Sequence, residues 1–293
     1  MYKSVIAAAA ALVIGGTATV ARAADPEPSA IHGFVDLAFK NAYITPRGLL
    51  VTNKGLTAQL LTGLAFDLYD DANGSINNVS ISGGFWNDFA SAQNAAKVGS
   101  WNEFDWFVGT NATFLKDWTG GVTYIEFLSP PGAFKAEKNV EFSLSFNDSP
   151  YLKPLSIHPY AKLFWAVAGD STVVLGRKGD TYDVELGIVP TINVTPFGIP
   201  VTLTMPSWIT VGPASYWGGT SNFGVVSTGL SAKTPLSFIP ARYGNWYADA
   251  GIQYYNLING KLVAAQIADG VSGANTEGNN NVWVGTVGIG FSF

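Results

Sequence analysis

The residues from Asn281 to Phe293 alternate. Trp283, Val287, Ile289, Phe291 and Phe293 share one parity, with only Gly285 interrupting the row, while Val284, Thr286, Gly288, Gly290 and Ser292 take the other. A repeat of two is the side-chain period of a β-strand. One face of this strand is large and apolar; the other is small or weakly polar. A strand divided in this way asks for an apolar medium on one side and a different one on the other. That demand constrains the whole chain.

The composition points the same way. The chain is 47% hydrophobic and 13% aromatic, with nine Trp, and only 13% of it is charged. Soluble proteins carry about 25% charged residues. No stretch reaches the ~20 apolar residues that a transmembrane helix needs. Apolar residues spread over alternate positions are what a membrane β-barrel requires. The stretch from Val5 to Gly16 is too short to span. It follows Lys3 and precedes Ala21-Arg22-Ala23, a small-x-small cleavage pattern. Residues 1–23 are expected to be a signal peptide and residues 24–293 a single barrel domain. The absence of Cys excludes a disulfide, a thiolate nucleophile and a Cys-ligated metal. Loss of Lys3 and Arg22 leaves 14 basic against 21 acidic residues, a formal charge near −7. That balance argues against nucleic acid as a partner.

Twelve alternating segments are predicted as strands: Ile31–Tyr43, Leu56–Tyr69, Ser75–Asn87, Asn102–Phe114, Trp118–Leu128, Asn139–Asn147, Ile157–Ala168, Thr181–Val194, Val201–Val211, Phe223–Thr234, Trp246–Leu257 and Asn281–Phe293. The fourth is among the clearest, with Phe104, Trp106, Val108 and Phe114 opposed to Glu103, Asp105, Gly109 and Asn111. The parities of the fifth and tenth are not legible. Between the segments, the odd connections (44–55, 88–101, 129–138, 169–180, 212–222, 258–280) are mostly longer than the even ones (70–74, 115–117, 148–156, 195–200, 235–245). Long external loops alternating with short periplasmic turns are a barrel pattern. Asn73-Gly74 is a tight-hairpin signal. The stretch from Gly270 to Asn281 reads as a loop with little to pack.

In hydrocarbon every backbone N–H and C=O must be paired within the protein, so spanning strands close with no free edge. The expected fold is an all-β, closed antiparallel transmembrane barrel of about twelve strands. That number lies between eight-stranded barrels filled by side chains and sixteen-stranded open channels. It fits either a narrow pore or a plugged lumen. Tyr43, Tyr69, Trp86, Trp101, Trp118, Tyr182, Trp208, Trp246, Tyr254 and Trp283 are candidates for the interfacial aromatic girdles. A soluble β-sandwich would alternate too. Low charge, polar faces built of Gly, Ser, Thr and Asn, and the aromatic C-terminus count against it.

Signal, strand rhythm, loop alternation and terminal Phe293 together resemble outer-membrane porins of Gram-negative bacteria, of the twelve-stranded type. The resemblance implies a location in the outer membrane among its lipids. It also implies that the strand ending at Phe293 is the address read by the barrel assembly machinery. The function it implies is passive diffusion of small hydrophilic solutes or ions. Alternatives are a non-conducting structural or adhesive barrel and, third, a lipid-acting barrel enzyme. Solute identity and oligomeric state are not legible.

The parities place Asp36, Lys40, Asp67, Glu103, Asp105, Glu141, Lys162, Asp183, Glu185, Lys233 and Asp249 in the lumen or its mouths, eight acids against three bases. Acid-lined pores concentrate cations, so a mild cation preference is expected. Asp36, Lys40, Arg47, Glu103, Asp105, Glu141, Lys162, Asp183, Glu185 and Asp249 are the candidate pore-lining residues. Arg47 follows Pro46 and precedes Gly48 at the expected outer mouth, where it would face Glu103 or Asp105 or anchor a loop. The two His, His32 and His158, have no local Ser or Asp pattern that marks a catalytic set. No His/Asp/Glu cluster suggests a metal. Neither catalysis nor a cofactor is expected.

Overall fold

A computed structural model describes residues 30–92, 99–172, 177–219, 221–269 and 274–293. The expected signal peptide lies outside them. Twelve antiparallel strands form the wall: β1 Ile31–Lys40, β2 Thr57–Asp70, β3 Ile76–Ala90, β4 Trp101–Phe114, β5 Trp118–Leu128, β6 Glu137–Phe146, β7 Tyr160–Ala168, β8 Thr181–Ile188, β9 Ser207–Val211, β10 Phe223–Pro235, β11 Asn245–Leu257 and β12 Asn281–Ser292. Each pairs with its sequence neighbours, and β12 pairs with β1 from Phe34↔Ser292 to Lys40↔Thr286. The Phe293 and Gly33 amides each donate to the other's carbonyl at 3.0 Å. The ring of strands is closed and no wall strand has a free edge.

The two faces follow the sequence parities. Leu64, Phe66, Phe85, Val108, Phe142, Leu186, Leu230, Ile252 and Val287 are exposed on the outside. Their neighbours along each strand point inward and are mostly small or polar. An apolar exterior on a closed barrel is a bilayer-spanning wall. The two ambiguous strands resolve. On β5, Val122 is exposed while Thr119 and Ile125 are buried; on β10, Val226 and Leu230 face out while Val225 and Ser227 are buried.

Three girdle candidates are corrected. Tyr43 lies outside the wall strands, and Trp86 and Trp208 occupy inward positions; all three are buried. Trp86 has the parity opposite to Ile81 and Phe85, so its direction was readable. Tyr69, Trp101, Trp118, Tyr182 and Trp283 are exposed on the outside.

Strand β3 approaches β2 closely at Gly84. A Cβ there would lie 2.2 Å from the Thr62 carbonyl oxygen and 2.8 Å from the Gly63 Cα. Only glycine fits this backbone crossing.

The predicted seventh, eighth and ninth segments are each broken, and the breaks lie on adjacent strands. Pro159 precedes β7, Pro190 follows β8 and Pro206 precedes β9. A proline has no N–H to donate to the ladder. Each still accepts: Phe146 N–H to Pro159 O (3.0 Å), Met205 N–H to Pro190 O (2.8 Å) and Gly229 N–H to Pro206 O (3.0 Å). Beyond this seam, Thr191–Val194 and Val201–Thr204 form a hairpin flanked by Leu155–Ser156 and the end of β10. Asp148 anchors one side. Its buried carboxylate accepts the Ile157 N–H at 2.9 and 3.1 Å and the His158 N–H at 3.1 Å. Asp148→Ala leaves two amides without acceptors, and a loss of about 1–3 kcal/mol in stability is expected. Urea titration of the refolded barrel measures it; a neutral result would show that another group takes up the amides.

Candidate functional site in the lumen

The loop end of the barrel is filled from inside. Loop 1 (residues 41–56) does not project away from the wall. Tyr43–Ile44 and Leu50–Thr52 pair as a short hairpin, and Ala42, Tyr43, Ile44, Leu49, Leu50 and Val51 are all buried. They pack with inward Leu61, Trp86, Phe107 and Ile125 from one wall and with Val225, Leu257, Val282 and Val284 from the other. Tyr216 and Trp217 of loop 5 (residues 212–222) and Leu262 and Val263 of loop 6 (residues 258–280) complete this core. Loop 6 contains a helix, α1 Gly260–Asp269. The Gln266 side chain donates to Gly48 O and accepts from the Leu50 N–H, both at 3.1 Å. Ala274 and Asn275 are buried, so the stretch expected to have little to pack is in part packed.

The tip of loop 1 is built to aim Arg47. Thr45-Pro46-Arg47-Gly48 is a turn closed by Gly48 N–H to Thr45 O at 2.9 Å. Pro at its second position and Gly at its fourth suit such a turn. Gly48 has φ +88° and presses on Val225, Leu257 and Leu262, so a side chain there would be both strained and obstructed. The tip thus lies against the wall remote from β1 and β2.

Arg47 meets Glu137 of β6 in an ion pair, not Glu103 or Asp105 as its sequence position suggested. The Tyr216 hydroxyl lies 3.5 Å from the guanidinium, and the Phe127 ring centroid lies 5.2 Å away. Burial, the largest influence, acts to lower the Arg47 pKa, but Glu137, Tyr216 and Asp183 together more than offset it, so the guanidinium is held above its ordinary value. Glu103 is instead bonded by Tyr43, whose hydroxyl donates at 2.8 Å.

The other candidates occupy inward strand positions. Lys162 sits opposite Glu185 in register, 3.9 Å from its carboxylate, and Tyr160 donates to Glu185 at 2.8 Å. Asp183 and Glu185 are on one face of β8; Glu141 is on β6 and pairs with Thr123 and Phe164. Asp36 accepts from the Tyr247 hydroxyl at 2.6 Å, and Lys233 lies 4.0 Å over the Tyr247 ring. Asp249 is opposite Lys233. Lys40 interacts electrostatically with Asp88, Asp36 and Asp249.

Glu137 and Asp88 were missed because their strands run further than the alternation suggested. Each has the parity of its inward neighbours, Asn139 and Glu141 or Trp86, which is the signal that would have found them. Asp88 is fully buried and accepts from Thr57 (2.5 Å), Gln59 (3.1 Å) and Asn102 (3.3 Å). Tyr216 lies in a loop and carries no such signal.

The two His have polar partners. His32 Nε2 is 3.0 Å from Asp67. His158 Nε2 is 2.7 Å from Ser156 Oγ, and its Nδ1 is 3.6 Å from Asp148. This Ser-His-Asp contact has the parts of a hydrolytic set, but Ser156 is buried, pairs with lumen-facing Thr191 and also contacts its carbonyl. Asp148 already serves the two amides. The trio holds the strand entry in place. Among the described residues, no group of three or more His, Cys, Asp or Glu is placed to hold a metal ion.

No family model matches the sequence, and no curated protein matches it. Solved structures do. The COG4313 outer membrane channel from Pseudomonas putida F1 is 9% identical, with a TM-score of 0.45, over 92% of this chain and 100% of that one. The NanC porin is 11% identical, TM-score 0.44, over 88% and 98%. The KdgM porin is 11% identical, TM-score 0.41, over 89% and 99%. The barrel assignment rests on the strand pairing of this chain itself.

Proposed function

We propose that the protein is an outer-membrane channel through which small hydrophilic solutes or ions diffuse, with a mild preference for cations. The contrast between its two faces carries this proposal: an apolar wall outside, and inside a run of charged side chains in which acids predominate. A barrel serving only as an anchor has no need of that lumen. The short-turn end, with both barrel termini, is assigned to the periplasm, and Phe293 to contact with the assembly machinery. Loop 1 narrows the opposite mouth.

In planar bilayers with a salt gradient, the refolded protein is expected to give a reversal potential of cation-selective sign. Anion selectivity would overturn the preference, and absence of conductance would overturn the channel. The packed loops favour a second reading, a non-conducting barrel, and removing loop 1 separates the two. A lipid hydrolase is disfavoured because Ser156 faces the lumen side and not lipid. Phospholipid hydrolysis lost in Ser156→Ala would reverse that conclusion.

A further inference from the structure

We propose that the wall facing the tip of loop 1 is a binding site for solutes bearing a guanidinium or ammonium group, which Arg47 occupies in cis. The inference rests on the channel reading for its role in transport, but not for binding.

Arg47 is carried by the β1–β2 connection, yet its head group lies against β5, β6 and loop 5. There it finds a carboxylate (Glu137), a hydroxyl (Tyr216) and the face of an aromatic ring (Phe127). Planar guanidinium groups are recognised by this combination of bidentate-capable acceptor and π-face.

The wall has more acceptor capacity than Arg47 uses. Asp183 is 1% exposed, and neither of its oxygens has a hydrogen bond of good geometry, although the Tyr216 hydroxyl lies beside it. Asp105 is also 1% exposed and its Oδ1 has no partner among the described residues. Buried carboxylates without donors are costly. Arg47 is a cation that Glu103, Asp105 and Asp183 all interact with electrostatically. An added cation with several N–H donors would satisfy what one side chain leaves open. The carboxylates are not grouped for a metal ion, which favours an extended organic donor over a point charge.

A solute that pairs with this wall competes with Arg47, and loss of the Arg47–Glu137 pair frees a charged contact that ties the loop 1 tip to the far side. The cargo therefore loosens the plug.

The test uses the full refolded barrel, guanidinium chloride at millimolar concentration as probe, and NaCl at equal ionic strength as control. By calorimetry, Arg47→Ala and the bulkier Arg47→Gln are expected to bind guanidinium about tenfold more tightly than the parent, because the resident competitor is gone. Adding Glu137→Gln should abolish the gain. In bilayers, guanidinium should raise the open probability of the parent and not of the Arg47 variants. Failure of both folded variants to bind guanidinium, or equal binding of Na⁺, would overturn the site. Binding with no current in any variant would support the site and overturn the channel.

Discussion

Excision of residues 43–52, with Ala42 joined to Asn53 through two glycines, is expected to raise the single-channel conductance severalfold. The junction is feasible because Tyr43 and Thr52 are cross-strand partners, so the chain ends left behind lie a strand spacing apart. The excised hairpin supplies the centre of the lumenal core, from Tyr43 on Trp86 to Gly48 against Val225 and Leu257. It also supplies Arg47. Without it, the loop end loses the segment that crosses the lumen, and ions meet a wider, more acidic mouth. Cation selectivity should rise together with conductance, since one fixed positive charge leaves a wall rich in carboxylates. Heat-dependent migration on gels confirms that the barrel still closes. A folded variant with the parent's conductance would show that loop 1 does not restrict the path.

Trp86→Ala is expected to destabilise the barrel by about 3–5 kcal/mol, the range for removing a large buried aromatic. Trp86 is 2% exposed on the inner face of β3, its ring 5.4 Å from that of Tyr43. Its loss leaves a cavity in a core sealed between the wall and three loops, with little freedom to collapse. Trp283→Leu is the control. Trp283 is 57% exposed on the outer face, where lipid fills any space left, so its change should be much smaller. Reversible urea unfolding in lipid vesicles compares the two. Equal effects would mean that the lumenal core contributes little.

Much of this fold was legible. Strand parity assigned the inner and outer faces on ten strands, because a pleated strand between lipid and lumen must alternate. The failures were of two kinds. Strand ends drifted where polar residues continue inward, which hid Glu137 and Asp88. Prolines at 159, 190 and 206 were read within or beside single strands, because their carbonyls still serve the ladder while their missing N–H groups break it.

The lumen was a different matter. Tyr43 reads as an interfacial aromatic, and Arg47 as a mouth residue near Glu103; both turn inward with loop 1. The contacts that matter, Arg47 to Glu137 and Gln266 to Gly48, join residues 90 and 218 positions apart. By itself the sequence determined a closed twelve-stranded barrel, its exterior and the acidic character of its interior, since those follow from a period of two repeated along the chain. Only the tertiary structure decided that loops 1, 5 and 6 meet inside it and which acids face which base. Those pairings depend on how the strands close into a ring, and no local periodicity records which sides of that ring lie opposite.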